Sequence, residues 1–179
     1  MFEGRVVSIF VARKAGAPME VVDEVKATPG RGIEGDRYFE GAGTWSNHPG
    51  EGREITLVEM EAIEGLAREK KIALKPAHTR RNLVTRGVPL NHLVGKEFQV
   101  GDVRLVGIRL CEPCHYLEEM TTKVVLVGLI HRGGLRANVL TGGVIQVGDS
   151  VAQVVKTEEL EPGEALNESA RGALKVARR

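Results

Sequence analysis

Glycine punctuation constrains this chain more than any other feature. Its 22 glycines fall between short β-branched runs, a rhythm that suits strands and turns and breaks up long helices. Val6-Val7-Ser8-Ile9-Phe10-Val11 opens the chain as a strand, and Val21-Val22-Asp23-Glu24-Val25 follows a Gly-Ala-Pro break and can pair with it. Between residues 28 and 52 the density of glycine, with Pro29 and Pro49, leaves no room for a regular element. That stretch reads as a long ordered loop, and loops of such length in small domains usually carry function.

One helix stands out. Thr56-Leu57-Val58-Glu59 has the form of a capping box, in which the Thr hydroxyl and the Glu carboxylate each satisfy a first-turn amide. Leu57, Met60, Ile63, Leu66 and Ala67 then recur at helical spacing, and Arg68, Lys70 and Lys71 suit the negative end of a helix dipole. The pattern predicts a helix over residues 57–71, stopped before Lys75-Pro76. Farther on, Leu93-Val94-Gly95 through Val100-Gly101-Asp102 is echoed 47 residues later by Leu140-Thr141-Gly142 through Val147-Gly148-Asp149. Both copies end in Val-Gly-Asp, a turn signal between strands, and two hairpin-like units suggest a barrel with similar sides.

At 179 residues the chain fits one domain over residues 1–155, with a charged, helix-compatible appendage at 156–179. Twenty-five Lys+Arg balance 24 Asp+Glu, which argues against a dedicated nucleic-acid binder. No apolar run is long enough to cross a bilayer as a helix, and residues 1–5 lack a secretory signal pattern. Two cysteines cannot build a disulfide scaffold, so a cytoplasmic protein is expected. No Walker A, GxGxxG, HExxH or GxSxG pattern occurs.

Chemistry concentrates at Cys111-Glu112-Pro113-Cys114-His115, which follows an apolar strand and precedes a segment of helical character. Four readings are open: a redox dithiol, half of a zinc site that lacks its second cysteine pair, a c-type haem attachment, or a single working thiolate at Cys114 suited to sulfur transfer or a soft metal. Three further stretches set cations beside glycines or amides: Gly35-Asp36-Arg37, Thr79-Arg80-Arg81-Asn82, and His131-Arg132-Gly133-Gly134-Leu135-Arg136. Guanidinium forks there match phosphate or carboxylate groups.

Taken in order, these stretches resemble the MOSC family, named for the C-terminal domain of molybdenum cofactor sulfurase. The resemblance is carried by Gly32-Ile33-Glu34-Gly35-Asp36-Arg37, Glu54-Ile55-Thr56-Leu57, Thr79-Arg80-Arg81-Asn82-Leu83, Gly95-Lys96-Glu97-Phe98-Gln99-Val100-Gly101, Cys111-Glu112-Pro113-Cys114 and Gly134-Leu135-Arg136-Ala137-Asn138-Val139-Leu140. It implies a mainly β fold with a few helices (α+β), a closed β-barrel similar to the one inserted in pyruvate kinase. It also implies a role with molybdenum cofactor, the pterin dithiolene phosphate that carries molybdenum. On that resemblance Cys114 is the catalytic cysteine, as molybdenum ligand or persulfide sulfur carrier. Arg37, Arg81, Asn82, Arg136 and Asp36 are the cofactor-binding residues, with Arg37 and Arg81 holding the phosphate and Asn82 orienting the pterin. The activity implied is sulfur transfer or molybdenum-dependent reduction of N-hydroxylated compounds. The chain departs from the sulfurases in carrying no pyridoxal-phosphate desulfurase domain and no PLP lysine, so sulfur is expected from a separate cysteine desulfurase, or electrons from a donor protein. A non-enzymatic cofactor or sulfur carrier, and a thiol-disulfide oxidoreductase built on Cys111 and Cys114, are the competing expectations.

Overall fold

A computed structural model describes residues 2–48 and 50–154. The expected appendage at 156–179 lies outside the described residues. In chain order the elements are β1 (Gly4–Val11), β2 (Glu20–Val22), β3 (Glu24–Thr28), β4 (Gly32–Ile33), β5 (Ile55–Glu59), α1 (Met60–Lys70), β6 (Leu83–Arg86), β7 (Glu97–Val100), β8 (Val103–Leu110), α2 (His115–Glu119), α3 (Lys123–Gly128), β9 (Leu135–Thr141), β10 (Gly143–Gln146) and β11 (Ser150–Gln153). Seven strands form a closed mixed barrel in the order β11-β7-β8-β9-β5-β6-β1, and pairing of β1 with β11 shuts it. Closure removes the exposed edges that an open sheet would present. All barrel pairs are antiparallel except β5 with β6. Parallel strands cannot be joined by a tight turn, and α1 with a 3₁₀ turn at Pro76–Thr79 supplies the crossover. Strand β2 pairs with the last part of β1, and β10, β3 and β4 form a small separate sheet.

Two apolar clusters hold the molecule. One contains Val6, Ile9, Leu57, Leu83, Phe98, Leu105 and Leu135 inside the barrel and takes Val25, Ile33 and Ile145 from the small sheet. The other contains Phe10, Val58 and Val84, packed with Ile63 and Leu66 of α1, Leu117 of α2 and Val125 of α3. Neighbours in sequence therefore serve opposite cores: Ile9 and Phe10, Leu57 and Val58, Leu83 and Val84. Strands buried on both faces lose the apolar-polar alternation that marks a surface strand.

This corrects three readings of the sequence, the simplest being that the glycine-rich stretch holds one regular element after all, the two-residue strand β4, paired with β3. The helix begins at Met60, not Leu57, because Ile55–Glu59 is a barrel strand covered on both sides. The capping box does not form: Thr56 bonds to Asn82 within the barrel wall, and Glu59 makes no cap bond. The echoed Val-Gly-Asp stretches also diverge. Both place glycine at positive φ, 55° at Gly101 and 99° at Gly148. The first closes the β7–β8 hairpin, whereas the second passes the chain from the small sheet at β10 to the barrel at β11. A turn signal fixes local geometry, not which sheet each flanking strand joins. Among the described residues no helix is long and apolar enough to cross a membrane.

Glu59 instead accepts a hydrogen bond from the Leu90 amide at 2.7 Å. Burial holds its carboxyl above the ordinary value, with the Leu90 bond opposing and Glu61 adding to the rise. A carboxyl raised in the folded state costs stability as pH climbs from the ordinary glutamate range through the folded value. Glu59→Gln keeps the acceptor without the charge. Urea titrations should find it more stable than the parent at pH 7, with the difference closing below about pH 4.

Candidate functional site

The last residue of β8, Leu110, pairs with Leu135 of β9, and the Cys111 amide continues that contact to the Gly134 carbonyl at 2.7 Å. The chain then turns through Glu112 and Pro113 into the short helix α2. Cys111 ends up buried and Cys114 exposed, at the residue that precedes the first turn of α2. Glu112 is held by the loop after α3, accepting from the His131 amide at 2.8 Å and facing His131 Nδ1 at 3.0 Å.

Cys111 and Cys114 share a cleft with Arg37, Arg80, Arg81 and Arg136. It is half open, with about 50 Å³ of internal space, and Tyr38, Trp45 and Tyr116 also line it. The sequence-derived cations Arg37, Arg81 and Arg136 are thus brought to the same cleft as Cys114. Asp36 and Asn82 are not in its lining and stand behind it.

These residues differ in how much of their bonding capacity is already used. Asp36, 3% exposed, accepts from the Ala12 amide at 3.1 Å, the Tyr38 amide at 3.2 Å, Asn82 Nδ2 at 3.1 Å and Arg37 Nη1 at 3.0 Å. Arg37 also donates to the Arg80 carbonyl at 3.2 Å. Asn82 Oδ1 accepts from the Thr56 amide and hydroxyl, and its Nδ2 also reaches the Phe10 carbonyl at 3.2 Å. Its amide is filled by the protein itself. Arg81 staples three carbonyls, those of Gly133, Thr79 and Cys111, at 2.8–3.0 Å.

Two other arginines retain free, desolvated donors. Arg80 adopts a left-handed backbone, φ 59°. Its Nη1 bonds to the Ala17 carbonyl at 2.9 Å, while Nη2 is buried and unpaired. Burial lowers the Arg80 pKa from its ordinary value, and nearby Arg37 lowers it further. Arg136 reaches the Gly52 carbonyl at 3.4 Å through Nη1, while its Nε is buried without a partner, as is the Tyr116 hydroxyl. Unpaired donors at low dielectric raise the energy of the empty site and reward an incoming acceptor. Arg80 and Tyr116 were not singled out as site residues from sequence. Arg80 belongs to the Arg80-Arg81 pair of the sequence, but its left-handed backbone leaves no trace in composition. His131 and Arg132 serve elsewhere, Arg132 in a two-pronged pair with Glu69 of α1 at 3.0 and 2.6 Å.

Among the described residues no group of three or more His, Cys, Asp or Glu is placed to hold a metal ion. The half-zinc reading of the cysteine pair therefore finds no further ligands there. What the cleft offers is one accessible sulfur with guanidinium donors close by, a set suited to an anion that carries a soft metal.

A family model described as the MOSC domain matches residues 45–152. The fold is similar to a crystal structure of the YUAD protein from Bacillus subtilis, with TM-score 0.73 and 17% identity over 87% of this chain and 100% of that one. It is also similar to YiiM from Geobacillus stearothermophilus, TM-score 0.65 and 16% identity over 87% and 77% of the two chains. For YiiM from Escherichia coli the values are 0.59 and 19% over 85% and 70%. No curated protein matches by sequence. At these identities the solved structures establish the barrel and nothing of its chemistry.

The Asp36 network generates a stability prediction. Asp36→Asn keeps the shape but leaves the Arg37 cation buried without its counter-charge, a change that typically costs about 3–5 kcal/mol. A urea titration should show a loss of that order. Glu34→Gln, which breaks the exposed Lys26–Glu34 pair, should leave the midpoint where it is.

Proposed function

The chain belongs to the MOSC domain family, and from that premise we propose that its cleft holds molybdenum cofactor, with Cys114 as a sulfur ligand to the metal. The observation that carries this reading is the meeting of the exposed Cys114 thiol with the unpaired buried donors Arg136 Nε and Tyr116 Oη in one cleft. The donor set fits the group. A thiolate suits molybdenum, and the guanidinium of Arg136, with the N–H groups Arg81 has left, suits the phosphate. When bound, the cofactor supplies a redox-active metal on a dithiolene.

The chain's own residues divide the work. Cys114 presents its sulfur from the start of α2. Arg136 and Arg81 hold the anionic part. Arg37 in the lining, with Asp36 and Asn82 behind it, fixes the loop and the strand end on which the cleft stands. Tyr38 and Trp45 also line this half-open cleft, and their flat faces would suit the ring system of a pterin. The activity in this reading is cytoplasmic reduction of N-hydroxylated compounds with an electron-donor protein, or transfer of sulfur received from a separate desulfurase.

A specific observation favours a second reading, a cofactor or sulfur carrier without turnover. Among the described residues that line the cleft none is a carboxylate or an imidazole, and His115, next to Cys114 in the chain, faces Glu118 at 3.2 Å instead.

Molybdenum content of protein made in a cofactor-producing host tests the proposal. Wild type should retain the metal through purification, and Cys114→Ala should retain at least about tenfold less. Equal retention would remove Cys114 from the site. Turnover of an amidoxime by the loaded wild type with added electron donors would select the enzyme over the carrier.

A further inference from the structure

The outer face of α3 sets bare apolar side chains beside surplus positive charge. Val127 is 63% exposed, and Val124 and Ile130, three residues to either side, are exposed as well, so they line one side of the segment. A β-carbon at Gly128 would lie 3.8 Å from Lys70 Cγ, which places the last turn of α1 alongside. There Arg132 bonds Glu69, and Arg132 with Arg68 and Lys70 holds that carboxyl below its ordinary value. Glu64, farther back on α1, is taken by Arg86. Among the described residues Arg68, Lys70 and Lys71 form no ion pair. An exposed apolar stripe with a cationic border suits an acidic segment that carries apolar side chains of its own.

This chain contains such a segment. Glu158-Glu159-Leu160-Glu161-Pro162-Gly163-Glu164-Ala165-Leu166 lies outside the described residues and holds four glutamates, two leucines and no cation. The chain sets out toward it from a point close to α3. The Val154 amide donates to the Glu97 carbonyl at 3.2 Å, and the neighbouring Lys96 amide donates to the Leu93 carbonyl at 3.1 Å. Asn91, in the same 3₁₀ turn as Leu93, donates to the carbonyl of His131 at 2.6 Å, one residue past Ile130. Residues 155–166 fully extended span about 40 Å, which covers that path with length to spare. We propose that residues 158–166 dock on this face of their own chain. Leu160 and Leu166 lie against Val124, Val127 and Ile130, and the glutamates face Arg68, Lys70 and Lys71. A tether of this length gives the segment a local concentration of about millimolar, so contacts too weak to hold a free acidic protein suffice. Neither Cys114 nor a cofactor takes part.

Carbodiimide, which joins a lysine amine to a carboxylate in contact with it, tests this on the full chain. Unlabelled and heavy-isotope chains are mixed in equal parts, and the linked peptides are read by mass spectrometry. Links should run from Lys70 or Lys71 to Glu158, Glu159, Glu161 or Glu164, within chains of one label. Links from these glutamates to Lys14, Lys26 and Lys96, which are exposed on other parts of the surface, should be at least about fivefold rarer. Val127→Asp, at a solvent-facing position, should lower the Lys70 and Lys71 links by about fivefold or more at unchanged melting temperature. Absent links, links spread evenly over the exposed lysines, or links indifferent to Val127→Asp would each overturn the proposal. So would Lys70 and Lys71 links that join chains of different label, which would make a second copy the occupant. None of these results bears on molybdenum, so the cofactor reading stands or falls separately.

Discussion

A single buried carboxylate organises the working end of this barrel. Asp36 collects the Ala12 amide just past β1, the Tyr38 amide in its own loop, the Arg37 guanidinium, and the amide of Asn82 just before β6. Asn82 passes the connection to Thr56 on β5 and to the Phe10 carbonyl on β1. Three barrel strands and the glycine-rich loop thereby share one hydrogen-bonded knot. Each bond is of ordinary strength, but the knot lies where an unmatched charge would be expensive. Its members must therefore stay together, and the cleft above them inherits that rigidity.

The knot explains why neighbouring arginines have different uses. Arg37 is tied to Asp36 and the Arg80 carbonyl, and Arg81 is tied to three carbonyls, including that of Cys111. These cations set the position of the cysteine loop and of the Arg80 backbone. Arg80 and Arg136 keep buried nitrogens without hydrogen-bond partners among the described residues. Binding sites are commonly built this way, with fixed groups behind and unsatisfied groups in front. The result is a cleft that presents one exposed cysteine beside cationic side chains.

Much of this was legible in the sequence, and the gaps have identifiable causes. Short β-branched runs between glycines signalled the barrel, and Cys114 with Arg37, Arg81 and Arg136 did converge on one cleft. Thr56 and Glu59 misled because a strand buried on both faces carries no alternation, so Leu57 could be counted into the helical spacing that starts at Met60. The second Val-Gly-Asp misled because the turn is local and the sheet it feeds is not. Asn82 looked like a ligand-reading amide, since sequence cannot show that Thr56, Phe10 and Asp36 already fill its bonds. Arg80 was passed over for its neighbour because a left-handed φ, and the direction it gives a side chain, is decided by tertiary packing.

The central claim is that the Cys114 sulfur is bonded to the metal while the surrounding side chains hold the anion. X-ray absorption at the molybdenum edge, on loaded wild type and on Cys114→Ser loaded under the same conditions, addresses it most directly. The account predicts one fewer sulfur neighbour per molybdenum in the variant. An unchanged sulfur shell would contradict it.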